Sequence, residues 1–177
     1  PVRISYHERL WNALKKDLPY RSAIARATIL DDLYGLTRAG HKKATTLLSF
    51  LGGYRGATDY IVCSEVASSL AGLEQVLENA DADAKNALHA FARSLLQFAA
   101  HKLGWEEAPN EPHLTRLLRP LMLGAMCDHG DDETIKESHR RFLGHHHGSE
   151  SIPANFRSVV FSAVASTGGV HEWNMLV

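Results

Sequence analysis

The sequence has few cysteines and no long apolar run. Its 177 residues include two cysteines, Cys63 and Cys127, which are too few for a disulfide framework. Both lie in apolar helical patterns, so we expect reduced, buried thiols in an intracellular protein and predict a cytoplasmic location. No apolar run reaches the roughly 18 residues that are needed to cross a bilayer. We therefore predict no membrane partner.

An excess of charge of one sign is also absent. The formal net charge at pH 7 is −1, from 19 basic and 20 acidic side chains. A protein that binds nucleic acid or acidic lipid by electrostatic attraction needs a clear basic excess. We therefore predict no nucleic-acid partner. The opening residues PVRISYHERL resemble neither a secretory signal nor a transit peptide.

Apolar residues at helical spacing, by contrast, occur along almost the whole chain. Hydrophobic residues make up 45% of it, and no segment alternates apolar and polar residues between hairpin turns. This pattern predicts helices and no sheet. Two pairs of residues carry capping signals: Ser5 with Glu8 predicts a capping box, and Gly130 with Asp131 predicts the end of one helix and the start of the next.

About eight or nine such helices can close as a bundle or stack as a solenoid. We predict an all-α fold of antiparallel helical hairpins that stack as an irregular α-solenoid of the ARM/HEAT type. The helix predicted over residues 111–128 is apolar on more than one face, and the last helix is still running at Val177. We therefore expect a single α-helical domain over residues 1–177, a fragment truncated at its C-terminus.

No group of residues in the sequence predicts a catalytic site or a metal site. His145, His146 and His147 form a histidine-rich loop, but no nearby Cys or HExxH motif supplies the other ligands that zinc requires. The loop is interpreted as a solvated helix end, where the helix dipole favours histidine. We predict no catalytic residue, no bound metal and no enzymatic activity for this chain alone.

Asp31 and Asp32 form the most prominent carboxylate pair, but their spacing argues against catalysis. Adjacent residues on a helix point about 100° apart, so the two side chains cannot face each other from one helix. We expect one of them to pair with Arg26 or Arg38 instead.

Arg119 and Arg157 are the two candidate substrate-binding residues. Each is predicted to lie within an apolar helical run, where an unpaired charge is costly. Each then either pairs with a carboxylate or with helix-end carbonyls, or faces a wet cavity in which it grips a peptide carboxylate. The structural pairing ranks first, and peptide binding is the alternative.

An ordered series of short motifs runs along almost the whole chain. The motifs are Val2–Tyr6, Arg26–Gly40, Asp59–Val62, Lys102–Trp105, His113–Leu114, Leu117–Arg119, Arg140–Phe142, Ile152 and Arg157–Val160. With these motifs the chain resembles the C-terminal helical domain of zinc aminopeptidases of the puromycin-sensitive type, the gluzincins that include the endoplasmic-reticulum and membrane aminopeptidases. Ala25, Cys63 and Pro120 depart from the family pattern, and Pro120 is expected to kink its helix.

The resemblance implies a parent enzyme that removes N-terminal residues from peptides with a zinc ion. The zinc motif of the family, HExxH, and its GxMEN motif lie in a separate catalytic domain and do not occur in this sequence. For this chain the resemblance implies a helical shell that closes the substrate cavity, contacts peptide, and packs on the catalytic and β-domains.

The predicted helical fold leads to two further expectations. The alternative function is a free-standing helical-repeat scaffold or adaptor that binds a partner peptide in its groove. Apolar surface from Trp173 to Val177 is expected to promote self-association.

Overall fold

The structure, a computed structural model, describes residues 2–176 and confirms the all-α prediction. No β-strand occurs among these residues, and no helix in this part of the chain is both long enough and apolar enough to cross a membrane. Short 3₁₀ turns cover Leu18–Tyr20, Gly52–Tyr54 and Ala154–Phe156. The described residues form nine α-helices: α1 (Glu8–Asp17), α2 (Ala23–Arg38), α3 (Ala44–Leu51), α4 (Tyr60–Val76), α5 (Ala82–Leu103), α6 (His113–Asp128), α7 (Asp132–His146), α8 (Arg157–Thr167) and α9 (Val170–Leu176).

The chain divides into two compact units, Pro1–Ala99 and Ala100–Val177. In the first unit α2 packs against α3 and α4, and α1 packs against α3. In the second unit α8 packs against α6, α7 and α9. The solenoid arrangement and the single-domain organisation stay predictions.

A row of aromatic side chains forms part of the core of the first unit. The rings of Tyr6 and Trp11 meet edge-on with centroids 5.0 Å apart, and Trp11 meets Phe50 in the same way at 5.4 Å. Phe50 continues the row to Tyr54, 5.9 Å away. Edge-to-face aromatic pairs add to the stabilisation that burial alone provides. The row therefore fixes α1 against α3 and against the turn that follows α3.

The ion pairs of α2 differ from the prediction. Asp31 pairs with Arg3 at 3.0 Å rather than with an arginine of its own helix. The nearby Asp32 accepts a hydrogen bond from the Ile4 backbone N–H at 3.4 Å. Arg26 pairs with Asp59. The prediction was wrong because it considered neighbours within one helix, whereas the N-terminal segment and the start of α4 supply the actual partners.

The core of the second unit is a cluster of buried apolar side chains from α6, α7, α8 and the segment between α7 and α8. Phe156 is 1% exposed and Val160 is completely buried. Phe142 of α7 meets Phe161 of α8 edge-on with ring centroids 6.0 Å apart. The buried members of the cluster are Leu123, Cys127, Phe142, Ile152, Phe156, Val159, Val160, Ala163 and Val164.

The capping predictions have mixed outcomes. Asp131 caps α7, since its carboxylate accepts the Thr134 N–H at 3.0 Å, and Gly130 before it has a φ of 72°, as a helix-ending glycine requires. The capping box at Ser5 was wrong. His7 is the N-cap of α1, and its ring accepts from the Arg9 N–H. Ser5 lies outside any helix, in a segment in which Arg3 and Ile4 bind to α2.

Gly72 of α4 provides a test of how closely α4 packs against α2. A Cβ at Gly72 would lie 1.8 Å from the Tyr34 hydroxyl oxygen, whereas a Cβ at Gly124 of α6 would meet nothing closer than Val159 at 3.6 Å. Overpacking of this kind lowers the unfolding free energy by about 1–3 kcal/mol, so Gly72→Ala should be destabilising. Gly124→Ala is the matched control and should raise stability by up to about 1 kcal/mol through helix propensity. Urea denaturation measures both, and equal stability of the two variants would contradict the close α2–α4 contact.

Candidate functional site

Arg119 lies inside the second unit and is held by two partners. Its side chain is 2% exposed. One guanidinium nitrogen, Nη1, donates to the Gly104 carbonyl oxygen at 3.0 Å, and the other, Nη2, pairs with the Glu111 carboxylate. The Glu111 side chain is itself only 9% exposed. Arg119 thus adopts the structural pairing that the sequence analysis ranked first.

The two partners of Arg119 lie at opposite ends of the turn that runs from Gly104 to Pro112. Gly104 ends α5 with a φ of 58°, a left-handed conformation in which glycine has no steric cost. Pro112 is the N-cap of α6, and α6 then brings Arg119 back beneath the turn. One guanidinium therefore holds both ends of the turn.

A second buried arginine, Arg141 of α7, holds the middle of the same turn. Its Nη2 pairs with Glu106 at 2.6 Å and its Nε with Glu137 at 2.8 Å. The guanidinium also lies over the Trp105 ring, 4.9 Å from the centroid, in cation–π geometry. Trp105 in turn packs against Phe156. Arg141 was not predicted as a buried charge, although the Arg140–Phe142 motif contains it.

Arg140, next to Arg141, organises two carboxylates on the surface of α7. It donates hydrogen bonds to Glu137 and Glu150, each at 2.8 Å. These hydrogen bonds favour the ionised forms and lower the pKa of both carboxyl groups. The network ties the segment after α7 back to the helix with charges of both signs.

Arg157, the other candidate, lies in a different environment. It is the first residue of α8 and is exposed, and its Nε lies 3.5 Å from the Ile152 carbonyl oxygen. It forms no ion pair with another residue in the range 2–176. The cost of burying an unpaired charge, which was predicted for both arginines, therefore applies to Arg119 and not to Arg157. The structure does not bring the two arginines to a common partner.

The histidine-rich end of α7 packs against aromatic rings. The His146 ring stacks on Phe142 with centroids 6.4 Å apart, and the His145 ring meets Phe161 edge-on at 6.3 Å. These side chains line an open groove of about 530 Å³ together with Met175 and Leu176 of α9. His145, His146 and His147 are nevertheless all exposed at the end of α7, which confirms the prediction of a solvated helix end.

Both cysteines are buried free thiols, as expected. Burial raises the pKa of Cys63 and of Cys127 to about 11, so both thiols are protonated at neutral pH. The Cys63 thiol lies 3.3 Å from the Ala57 carbonyl oxygen. The low thiolate fraction gives neither residue the reactivity of a catalytic nucleophile.

Comparison with known proteins identifies the family. A family model described as the ERAP1-like C-terminal domain matches residues 1–177. The chain belongs to the ERAP1-like C-terminal domain family. Three of the motifs that carry the family resemblance lie at this site. Lys102–Trp105 contains Gly104, where the Gly104–Pro112 turn begins. Leu117–Arg119 and Arg140–Phe142 contain the two arginines that hold this turn.

Similar full-length proteins are named as aminopeptidases. Aminopeptidase M1-B of Oryza sativa subsp. japonica is 34% identical over 142 residues, which cover 79% of this chain and 16% of that protein. Aminopeptidase M1-A of the same organism is 30% identical over 93% of this chain and 19% of its own length. Glutamyl aminopeptidase of Rattus norvegicus is 27% identical over 97% of this chain and 18% of its own length. The chain thus spans less than a fifth of each relative.

The role of Arg119 can be tested by a double-mutant cycle. Arg119→Met leaves the Glu111 carboxylate buried without its partner, and should lower the unfolding free energy by about 3–5 kcal/mol. Arg119→Met combined with Glu111→Leu removes both charges and should recover much of that loss. Chemical denaturation of the single and double variants measures the coupling. A fully stable Arg119→Met single variant would mean that the charge is not needed for folding and would favour the peptide-binding alternative.

Proposed function

We propose that this chain is the C-terminal helical domain of a zinc-dependent aminopeptidase that removes N-terminal residues from peptides. The match of the ERAP1-like C-terminal domain family to all 177 residues carries the proposal. The aminopeptidase names of the relatives support it. In this proposal the domain shapes the substrate cavity, closes it against water, and contacts the peptide beyond its first residues.

The proposed zinc ion belongs to the catalytic domain of the parent enzyme. No HExxH motif occurs in this sequence, and the rings of His145 and His146 pack on Phe161 and Phe142, so the histidine-rich end of α7 does not fit a catalytic zinc. When bound in the parent, the ion activates the water that attacks the scissile carbonyl. This chain contributes no catalytic residue.

The proposed partners are peptide substrates and the catalytic and β-domains of the same enzyme. A cytoplasmic location stays a prediction, as does self-association through the C-terminal end. Trp173 is 60% exposed and Val170 is 78% exposed, which supports an apolar surface there. Val177, part of the segment predicted to self-associate, lies outside the described residues.

Because the proposed zinc ion and the catalytic residues lie in another domain of the parent enzyme, we predict that the isolated chain is inactive. We expect elemental analysis of the purified chain to find no stoichiometric zinc, and aminoacyl reporter substrates to remain uncleaved. Zinc-dependent turnover by the pure chain would contradict the proposal.

The gene sequence upstream of Pro1 distinguishes the aminopeptidase from the scaffold alternative. A domain with an HExxH motif encoded there would support the aminopeptidase, and its absence would favour the scaffold.

Arg157 is the proposed peptide contact, because it is exposed and its guanidinium has only a 3.5 Å hydrogen bond to the Ile152 carbonyl oxygen among the described residues. The guanidinium of Arg119, by contrast, is buried and ion-paired. In the parent enzyme, Arg157→Gln should raise KM about tenfold for a long peptide, the loss expected for one charge-assisted hydrogen bond. It should leave KM for a single-residue reporter unchanged, because the reporter is too short to reach it. Lys136→Gln, an exposed charge on α7, is the matched control. An unchanged KM for every peptide length would remove Arg157 from the proposed site.

A further inference from the structure

The segment that precedes α1 is held on α2 mainly by one arginine side chain. Both terminal nitrogens of Arg3 contact Asp31. Nη2 donates to the Asp31 carboxylate at 3.0 Å, and Nη1 donates to the Asp31 backbone carbonyl oxygen. The next residue, Ile4, donates its backbone N–H to the Asp32 carboxylate. Two consecutive residues of the segment are therefore bound to two consecutive residues of α2.

Gly35 provides the space in which the Arg3 guanidinium lies. It is an interior residue of α2, a position at which glycine is less favourable than alanine. A Cβ at Gly35 would lie within 2.6 Å of Cζ, Nη1 and Nε of Arg3, which is too close for any side chain. The bound position of the arginine therefore depends on the absence of a side chain at Gly35.

The contacts that hold this segment are few and individually weak. The side chains of Arg3 and Asp31 are 41% and 49% exposed, and an ion pair in contact with water contributes little to stability. The Ile4 hydrogen bond is long, at 3.4 Å, and one further bond runs from the Lys42 ammonium to the Tyr6 carbonyl oxygen at 2.8 Å. The segment can therefore leave α2 at a modest cost in free energy.

The same residues contain a second helix start that this structure does not use. Ser5 and Glu8 have the spacing of a capping box, in which the serine hydroxyl accepts the Glu8 N–H and the glutamate carboxylate accepts the Ser5 N–H. Neither side chain forms a hydrogen bond with another described residue. His7 caps α1 instead, through a 3.4 Å bond from the Arg9 N–H, although histidine is not among the preferred N-cap residues.

The observed arrangement and the capping box exclude each other. His7 has an extended backbone, with φ −66° and ψ 150°, whereas the capping box requires Tyr6 and His7 to be helical. A helical ψ lies near −42°, so ψ of His7 must rotate by about 170°. This rotation redirects every residue before His7, while the buried Trp11 keeps α1 in place. Arg3 then no longer reaches Asp31.

We propose that residues 2–8 form a two-state latch. In the docked state Arg3 lies on α2, and α1 begins at Glu8. In the released state Ser5 and Glu8 form the capping box, α1 begins at Tyr6, and the preceding residues leave α2. The docked state is the major one, because release also gives up the edge-on contact of the Tyr6 ring with the aromatic row. The latch sets the direction in which the chain enters α1, and it does not depend on the proposed function.

Nuclear magnetic resonance of the full chain distinguishes the two states, because the ¹³Cα shifts of Tyr6 and His7 differ between helical and non-helical backbone. Arg3→Gln should raise the helical population of both residues about fivefold, the factor that corresponds to the loss of one exposed ion pair. Gly35→Ala should have the same effect with Arg3 intact, since alanine keeps α2 helical but fills the space of the guanidinium. Arg9→Gln removes an exposed arginine of α1 that forms no ion pair with another described residue, and this matched control should leave both shifts unchanged.

Ser5→Ala separates a latch from a segment that only frays. In combination with Arg3→Gln it should return Tyr6 and His7 to non-helical shifts, because the released state loses its cap. Alone it should have no effect, because the docked state does not use the Ser5 hydroxyl. Non-helical Tyr6 and His7 in Arg3→Gln, or a helical signal that survives the addition of Ser5→Ala, would each overturn the proposal.

Discussion

The second unit depends on the requirement that a guanidinium removed from water needs a carboxylate or carbonyl partner. Arg119 is held by Glu111 and by the Gly104 carbonyl, and Arg141 is held by Glu106, Glu137 and the Trp105 ring. An unpaired buried charge costs several kcal/mol, so the partners must be present for the unit to fold. The irregular turn from Gly104 to Pro112 packs one large apolar side chain, Trp105, against the core of the unit. Two arginines from different helices hold the rest of the turn in place.

Two ion pairs in the first unit also hold connecting segments against a helix. Arg3 of the N-terminal segment binds Asp31 on α2, and Arg26 of α2 binds Asp59 at the start of α4. The Tyr54 hydroxyl also donates to the Arg26 backbone carbonyl at 2.9 Å. These exposed or half-buried pairs are individually weaker than the buried pairs of the second unit. Their effect is to fix where a connecting segment lies on a helix whose apolar face is already packed.

Features encoded by neighbouring residues could be predicted from the sequence. The stop at Gly130 and the cap at Asp131 follow from local backbone and side-chain chemistry, and they were confirmed. The sequence could predict that Arg119 pairs with another group, because an arginine among leucines needs a partner. The identity of that partner was not predicted, although Glu111 is only eight residues away.

Long-range partners were the features that the sequence could not reveal. Arg141 lies 35 residues from Glu106, and no periodicity relates the two positions. Arg26 lies 33 residues from Asp59. The buried indole N–H of Trp11, which has no hydrogen-bond partner among the described residues, was equally hidden. A tryptophan at helical spacing predicts a core residue whether or not its N–H finds an acceptor. Such contacts are set by how helices pack, and only the folded chain defines them.

The left-handed backbone at Gly104 has a consequence for how this domain can be recognised in distant sequences. The carbonyl that Arg119 binds belongs to a residue in a left-handed backbone conformation that nearly any side chain would disfavour, so the glycine places the acceptor that the arginine uses. Lys102–Trp105 and Leu117–Arg119 are therefore two halves of one physical feature. In a divergent sequence, retention of either half alone is weak support for membership, whereas joint retention reports the same folded turn.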